Sequence, residues 1–409
     1  DGIFVGQFIG ADALAAVNLV MPVVMIFGGL GFMFGTGGSA LVAKTLGQGR
    51  RDQANRYFTM IAIATVGTGI VISALGAAFM RPICRWLRAD AEIIDDCVLY
   101  GRILLGFNTA YMLQNVFQSF FVTAEKPHLG LYVVIAAGVT NMVLDFLFVG
   151  ILGFGLAGAA LATVCGEFIG GLFPIFYFTR KNSSLLRLGK TQWNGHVLLQ
   201  TCINGSSELM TNLSSSIMNS LYNIQLMKFA GENGVAAYGT MMYINFIFLA
   251  IFFGYSIGSA PVISYHYGAG NQDELKNLFR KSLRLIGTWG IMLALLSQLL
   301  AAPLSKLFVG YDAELFAMTE HGFRIYCLAY LINGFNIFGS SFFTALNNGV
   351  ISAAISFLRT LVFQIIMILL LPTLLGINGI WSAVGIAELM TLCVTITFFI
   401  KQRKKYHYV

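Results

Sequence analysis

Residues 155–167 read GLAGAALATVCGE, and residues 376–388 read GINGIWSAVGIAE. Each stretch opens with two glycines three positions apart and closes on a glutamate, and the second lies 221 positions after the first. The sequence therefore predicts two related halves. The same displacement superposes Gly10 on Gly231, Gly47 on Gly268, Gly49 on Gly270, Asp52 on Asp273, and Pro82 on Pro303.

The composition of the chain is that of an integral membrane protein. Of 409 residues, 57% are hydrophobic and 11% are charged, and the mean hydropathy is +0.76, whereas soluble domains carry about 25% charged residues. Apolar stretches of about 20 residues, long enough to cross a bilayer as helices, recur throughout, and the short alternating runs of a membrane barrel are absent. We therefore predict an all-α integral membrane protein with twelve transmembrane helices in two repeated six-helix bundles.

The repeat also predicts how the chain is divided. The opening residues fit the end of one span, because Asp1 matches Tyr222, which lies inside a predicted helix; we expect this first helix to be truncated. The N-terminal bundle is expected at residues 1–180, a cytoplasmic linker at residues 181–196, and the C-terminal bundle at residues 197–409. The remaining spans are predicted at residues 14–40, 53–79, 93–122, 128–150, 156–179, 197–228, 235–265, 275–300, 314–345, 350–373 and 378–400.

Lysine and arginine concentrate on alternate loops, and this bias predicts the orientation, since cytoplasmic loops carry an excess of Lys and Arg. We expect a multi-pass protein of the inner (cytoplasmic) membrane with both termini in the cytoplasm. The formal net charge of +7 needs no nucleic-acid partner, because a basic face against anionic membrane lipid accounts for it. The sparsely charged opposite loops hold Arg81, Arg85, Arg88, Lys228 and Lys306.

Two related helical bundles are the usual architecture of a secondary transporter, whose substrate path lies between the halves. Transport is therefore the leading hypothesis. An enzyme is disfavoured, because the spans show no His-Glu-x-x-His motif, no paired catalytic aspartates and no Ser/His pairing. Neither a cofactor nor a structural metal ion is expected.

Asp145 is the ionisable span residue most indicative of function, since a charge within a bilayer is costly and suggests a functional site. Asn141 lies four residues earlier, on the same side of one helix, and its amide can hydrogen-bond Asp145 in either protonation state. The matching residues of the second half, Val362 and Ile366, are apolar, and a one-residue slip of the alignment leaves apolar neighbours there. The asymmetry predicts an ion or proton site in the N-terminal bundle.

Three motifs accompany the two six-helix halves: Asp-Gly-Ile-Phe-Val-Gly at residues 1–6, Gly-Gln-Gly at residues 47–49, and Thr-Ala-Glu-Lys-Pro at residues 123–127. With these features the whole chain resembles the multidrug and toxic compound extrusion (MATE) family, and within it the DinF-like branch. The resemblance implies an antiporter that expels drug-like organic cations while H⁺ or Na⁺ enters. The polar cluster that it implies in the N-terminal lobe is Asp1, Asn115, Asn141, Asp145 and Thr163.

Such a cluster can respond to the driving ion in two ways. A carboxyl group enclosed by apolar helices is costly to ionise, so Asp145 and Asp1 could exchange a proton near neutral pH. Alternatively, oxygen atoms of Asp1, Asn141, Asp145 and Thr163 could coordinate Na⁺. Either event changes the charge in the N-terminal bundle and biases its helices. The coupling ion is therefore expected to be H⁺ or Na⁺.

Three glutamates within spans allow two interpretations. Glu167 and Glu388 are related by the repeat, so each could be structural, paired with a polar neighbour or with a buried arginine such as Arg359. Glu208 has Ser206, Ser207, Thr211 and Asn212 as neighbours, which suggests a substrate-facing acid on the central cavity. Aromatic and methionine side chains attract organic cations and adapt to several of them. The candidate substrate residues are Glu208, Met210, Tyr222, Tyr238, Met241 and Tyr243.

A lipid-linked precursor flippase is the alternative function, because the same double architecture serves that task in related families. A flippase for a pyrophosphate-linked lipid should carry a basic cluster on the central cavity, whereas the spans hold only Arg102, Arg324 and Arg359. For the antiporter, the expected partners are small organic cations and membrane lipid, and the chain is expected to act as a monomer.

Overall fold

The computed structural model describes residues 2–87 and 89–409, so the predicted site residue Asp1 lies outside the described residues. All regular structure in these ranges is helical, which confirms the predicted all-α fold. The helices are α1 (Gly2–Phe8), α2 (Ala11–Gly47), α3 (Arg51–Trp86), α4 (Ile94–Gly106), α5 (Asn108–Thr123), α6 (Pro127–Asp145), α7 (Gly155–Thr179), α8 (Gly195–Gly268), α9 (Gln272–Val309), α10 (Ala313–Tyr326), α11 (Tyr330–Ala345), α12 (Gly349–Phe357), α13 (Phe363–Leu375) and α14 (Ile377–Tyr406).

The helices overlap the predicted spans, but the predicted span 93–122 is divided at Phe107 into α4 and α5. Within the described ranges, nine helical segments are long and apolar enough to cross a membrane, and a helix satisfies its own backbone hydrogen bonds there. Helix α8 has 74 residues and contains two predicted spans, because its backbone breaks at Gly231 with φ 63° and ψ −153°. Only glycine adopts that conformation readily. Gly10, the repeat match of Gly231, also has a positive φ and separates α1 from α2.

The repeat extends to backbone conformation at other glycines. Gly155 and Gly376, at the starts of α7 and α14, have φ values of 57° and 59°. Gly49 and Gly270, in the loops before α3 and α9, have φ values of 76° and 68°. Side chains strain a backbone with positive φ, so glycines that match in sequence also have matching structural roles.

The chain forms two compact units, Asp1–Gly205 and Ser206–Val409. In the first unit, α2 packs against α5, and α7 packs against both α5 and α6. In the second unit, α14 packs against α13 and α11, and α11 also contacts α9 and α12. Each unit has its own apolar core, which includes Val20 and Tyr100 in the first and Phe323 and Trp381 in the second.

Two π-helical segments set the halves out of register by one residue. Phe146–Ile151 follows α6 directly, whereas Leu358–Val362 separates α12 from α13. A π-bulge inserts an extra residue into a helix. In the second half this insertion comes earlier in the span than in the first half. Between the two positions, a residue of the first half is therefore matched in structure by the residue one place after its sequence match. Asp145 is 0% exposed, its sequence match Ile366 is 43% exposed, and Met367 is 8% exposed. Met367, which is apolar, is therefore the structural counterpart of Asp145.

The connection between the helical halves is held along the first turns of α3. The guanidinium group of Arg51 donates to the carbonyl oxygen of Leu185 at 3.0 Å. The backbone N–H of Arg187 donates to Oδ1 of Asn55 at 2.9 Å. These contacts fix a non-helical segment that would otherwise be a flexible connector.

Candidate functional site

Asn141, Asp145 and Thr163 form the polar site predicted in the N-terminal half. Asn141 and Asp145 lie one turn apart on α6, and Thr163 faces them from α7, which packs against α6. The amide of Asn141 donates to Oγ1 of Thr163 at 3.4 Å, and the Thr163 hydroxyl donates to the carbonyl oxygen of Ala159 at 3.1 Å. The structure thus brings these predicted side chains together between two helices.

Asp145 is fully enclosed by protein, with 0% of its surface exposed. Tyr100 on α4, which is also 0% exposed, interacts electrostatically with both Asp145 and Glu167. Its hydroxyl group points to the sulfur of Met21 at 3.9 Å. Helices α4, α6 and α7 therefore converge on two buried carboxyl groups.

Asn115 lies on α5 and is 4% exposed. In the part of the chain that the structure describes, it makes no hydrogen bond to Asn141 or Thr163, and its Nδ2 atom has no partner. Tyr111, one turn earlier, interacts with the Asn115 side chain and with the carboxyl group of Glu167. Tyr111 therefore lies near both Asn115 and Glu167. The fifth predicted residue, Asp1, lies outside the described ranges.

The two repeat-related glutamates have different surroundings. Glu388 is 1% exposed, accepts from Nε of Arg359 at 2.7 Å, and accepts from Nδ2 of Asn336 at 2.7 Å. The predicted pairing with a buried arginine is thereby confirmed for Glu388. Glu167 is 9% exposed, and among the described residues its Oε2 atom has no hydrogen-bond partner.

The aromatic substrate candidates lie on α8 and point in different directions. Tyr222 and Tyr238 stack with their ring centroids 5.0 Å apart and their planes 1° apart. Both belong to the buried core of the second unit, together with Met241, which is 0% exposed. Tyr243 is 69% exposed and stacks on Phe308 with centroids 6.5 Å apart. The structure brings the first three together and places Tyr243 apart from them.

Glu208 and Met210 lie near the start of α8 and are half-buried. Glu208 interacts electrostatically with Arg359, the partner of Glu388. Its backbone carbonyl accepts from the amide of Asn212 at 2.9 Å. Glu208 is therefore close to the buried ion pair of the second unit.

Tyr100 and Tyr111 were not predicted as site residues. Among 16 tyrosines and 35 phenylalanines, nothing in their spacing distinguishes them from packing residues. The different surroundings of Glu167 did leave a signal in the sequence. The repeat matches Arg359 with Gly138, so the first half has no basic residue at that position.

The chain is similar to known membrane transport proteins over most of its length. The model of the MatE family matches residues 1–147 and 209–370. The Multidrug export protein MepA of Staphylococcus haemolyticus (strain JCSC1435) is 23% identical over 401 residues, which cover 97% of this chain and 87% of that protein. The FAD transporter of Shewanella oneidensis is 23% identical over 407 residues, which cover 95% and 87%.

A crystal structure of a MATE protein in complex with MaL6 superposes with a TM-score of 0.93. The two sequences are 22% identical, and the superposition covers 100% of this chain and 92% of the other. A structural likeness at this identity shows a shared fold, and site chemistry has to be argued from individual residues. The likeness extends over both units.

Proposed function

The chain belongs to the MatE family, and we propose that it is an antiporter that exports drug-like organic cations while H⁺ or Na⁺ enters. The MepA relatives are multidrug export proteins, which supports export of drugs and a transport role rather than an enzymatic one. Because they are under 25% identical, the substrate class is carried by analogy. No cofactor is proposed beyond the coupling ion.

The observation that carries this proposal is the enclosed position of Asp145 beside Asn141 and Thr163. A carboxyl group inside a membrane protein is costly to leave charged, so it favours binding a proton or a cation. Carboxylate, amide and hydroxyl oxygens are also the ligands that hard cations prefer. We propose that Asp145, Asn141 and Thr163 bind the coupling ion, together with Asp1 and with Asn115 nearby.

Ion binding can drive export only if it favours one arrangement of the helices. Asp145 is the last residue of α6 before the π-helical segment Phe146–Ile151, and such segments are often found at functional sites. Neutralising Asp145 would change the electrostatic energy at that point of the helix. We propose that the ion-loaded and ion-free forms differ there, and that ion and substrate favour opposite forms.

The substrate residues are proposed for the second unit. The stacked rings of Tyr222 and Tyr238 offer aromatic faces of the kind that attract cations, and Met241 adds a polarisable, adaptable side chain. Glu208 and Met210 lie about 18–21 Å earlier along α8 than Tyr222, at 1.5 Å per residue, and Glu208 is proposed to supply negative charge to the substrate path there. Tyr243 is proposed as an outer contact, since it is exposed.

The arginines of the spans give little support to a flippase for a pyrophosphate-linked lipid. Arg359 is neutralised by Glu388, Arg324 pairs with Glu320 at 2.8 Å, and Arg102 donates to the carbonyl oxygen of Ala77 at 3.2 Å. A diphosphate group binds where several basic side chains converge. These three arginines of the spans have other partners, which favours a cationic substrate.

The protein is a multi-pass membrane protein, as its apolar helices require, and its similarity to bacterial exporters supports a location in the cell membrane. We propose that both termini face the cytoplasm, that anionic lipid contacts the basic loops, and that the monomer is the functional form. The last turn of α14 carries Arg403, Lys404 and Lys405, which supports this orientation.

Efflux from proteoliposomes tests the function and identifies the ion. Purified protein is reconstituted with ethidium inside the vesicles, and an inward H⁺ gradient or an inward Na⁺ gradient is imposed in separate runs. Efflux above that of protein-free vesicles is expected with one gradient and not without a gradient. Absence of efflux under both gradients would refute cation-coupled export.

Export of a flavin nucleotide is a second candidate, because the FAD transporter relative is as similar to this chain as the MepA relative. The same vesicles loaded with FAD distinguish the two functions. Release of FAD without release of ethidium would replace the multidrug assignment with a flavin one.

A further inference from the structure

Asn115 and Glu167 form an incomplete copy of a buried network in the second unit. The repeat matches them with Asn336 and Glu388. There, Asn336 donates to Oε2 of Glu388 at 2.7 Å, and Arg359 donates to Oε1 at 2.7 Å. In the second unit the carboxylate of Glu388 therefore accepts hydrogen bonds from one amide group and one guanidinium group.

The first unit has the same amide and carboxyl positions, but no described residue supplies a guanidinium group to Glu167. Gly138, the repeat match of Arg359, has no side chain. In the described ranges, neither Nδ2 of Asn115 nor Oε2 of Glu167 has a hydrogen-bond partner, although the residues are 4% and 9% exposed. Buried polar atoms of proteins are almost always hydrogen-bonded, so these two atoms indicate a ligand.

Contacts between α5 and α7 place the two side chains in one region. Gly170 lies one turn after Glu167, and a Cβ atom added there would stand 2.6 Å from Cδ of Gln114, the neighbour of Asn115. The missing side chain at Gly170 thus lets the helices approach closely. Tyr111 interacts with both Asn115 and Glu167, which links the two positions through one side chain.

We propose that Glu167 and Asn115 bind the amidinium or guanidinium head group of an exported organic cation, where the second unit holds the guanidinium group of Arg359. A planar cation with several N–H donors matches the two oxygens of a carboxylate, and it supplies the countercharge that a buried carboxylate needs. This inference rests on the proposed export of organic cations and assigns a substrate subsite to the first unit.

Binding to the purified full chain, measured by isothermal titration calorimetry without any ion gradient, tests the subsite. Pentamidine carries amidinium groups, whereas tetraphenylphosphonium carries its positive charge without N–H donors. Glu167→Gln removes the negative charge and keeps the shape of the side chain. The variant should bind pentamidine about 30-fold more weakly or worse, as expected when one partner of a buried hydrogen-bonded charge pair is removed. Its affinity for tetraphenylphosphonium should change less than threefold.

Two results would overturn the subsite. Unchanged pentamidine affinity in Glu167→Gln would mean that Glu167 carries only a proton or a structural role. An equal loss for both probes would mean that the site does not recognise N–H donors. Failure of the wild type to expel ethidium under either gradient would instead remove the export function, so the two failures are distinguishable.

Asn115→Leu provides an independent version of the test if Glu167→Gln does not yield folded protein. It removes the amide group and keeps the charge, so pentamidine affinity should fall about two- to tenfold, the range for one lost hydrogen bond. Tetraphenylphosphonium affinity should fall less than pentamidine affinity does. Equal pentamidine affinity in Asn115→Leu and the wild type would also contradict the proposal.

Discussion

Glu388 shows how a single residue can be charged inside a membrane protein. Arg359 and Asn336 complete its hydrogen bonds at 2.7 Å each, and Thr395 supports the network by donating to Oδ1 of Asn336 at 2.9 Å. A buried ion pair contributes little compared with apolar packing, but removing one partner strands a charge. The network is therefore fragile to single substitutions.

Glu388→Gln should lower the free energy of unfolding by about 3 kcal/mol, because it leaves the guanidinium group of Arg359 without its countercharge. The measurement is thermal unfolding of the purified protein in detergent. Glu167→Gln is the matched control at the repeat position, and it should not lower the melting temperature, since it strands no described cation. Equal destabilisation by both substitutions would contradict the difference between the halves.

Thr163→Val should raise the ion concentration needed for half-maximal efflux about two- to tenfold, because it removes one hydroxyl group from the ion site and keeps its volume. Thr65→Val is the control, since Thr65 is 0% exposed and donates to the backbone carbonyl of Ile61 at 2.8 Å. It should leave the ion dependence unchanged. If Thr65→Val raised the half-maximal ion concentration as much as Thr163→Val does, the effect would be due to packing and not to ion binding.

Some of these residue roles follow from the sequence and some do not. The four-residue spacing predicts that Asn141 and Asp145 lie on one side of a helix, and in the structure they lie one turn apart on α6. The sequence alone could not decide whether Glu388 or Glu167 pairs with an arginine, because both lie among polar neighbours in repeated spans. The decision depends on the π-helical segment Leu358–Val362, which positions Arg359 towards α14.

At the scale of the elements, the break in α8 depends on backbone conformation. Gly231 has φ 63° and ψ −153°, and a Cβ atom there would meet nothing within 4 Å. The strain of a substitution at this position therefore comes from the backbone alone.

Gly231→Ala should lower the free energy of unfolding by about 1–3 kcal/mol, because alanine strains this conformation. Gly239→Ala is the matched control: Gly239 lies within the helical part of α8 and also has open space around it. It should be neutral or stabilising by about 0.5–1 kcal/mol. Thermal unfolding of both variants checks the difference, and equal effects would mean that α8 is not broken at Gly231.

The spans themselves were predictable, because long apolar runs have one stable form in a bilayer. The placement of the π-helical segments was not. Both halves have the same length between matched glycines, so the one-residue shift leaves no gap in the sequence and appears only in the burial of Asp145 and Met367.

At the scale of the whole molecule, the charge of the loops sets the orientation. A green fluorescent protein fused after Val409 should fluoresce, because the C-terminus is expected in the cytoplasm, where this reporter folds. The same reporter fused after Gly310, in the loop that follows α9, should be dark, and alkaline phosphatase fused there should be active. Fluorescence at Gly310 would reverse the proposed orientation.

The two halves share helices, glycine turns, and a buried asparagine and glutamate at matched positions, but they differ in the charges that accompany them. The second unit carries its own cation in Arg359. In the first unit, the Oε2 atom of Glu167 has no hydrogen-bond partner among the described residues. The second unit thus neutralises its buried glutamate internally, and we propose that the first unit binds the coupling cation.

Efflux of ethidium from proteoliposomes containing Asp145→Asn, under the gradient that drives the wild type, tests the central claim most directly. Ile366→Asp, at the sequence match in the second half, serves as the comparison. We predict that Asp145→Asn inserts and folds like the wild type but shows no efflux above that of protein-free vesicles. The double variant, which carries Asp145→Asn and Ile366→Asp together, should also show no efflux. Wild-type efflux by Asp145→Asn would contradict the assignment of the driving ion to the first unit.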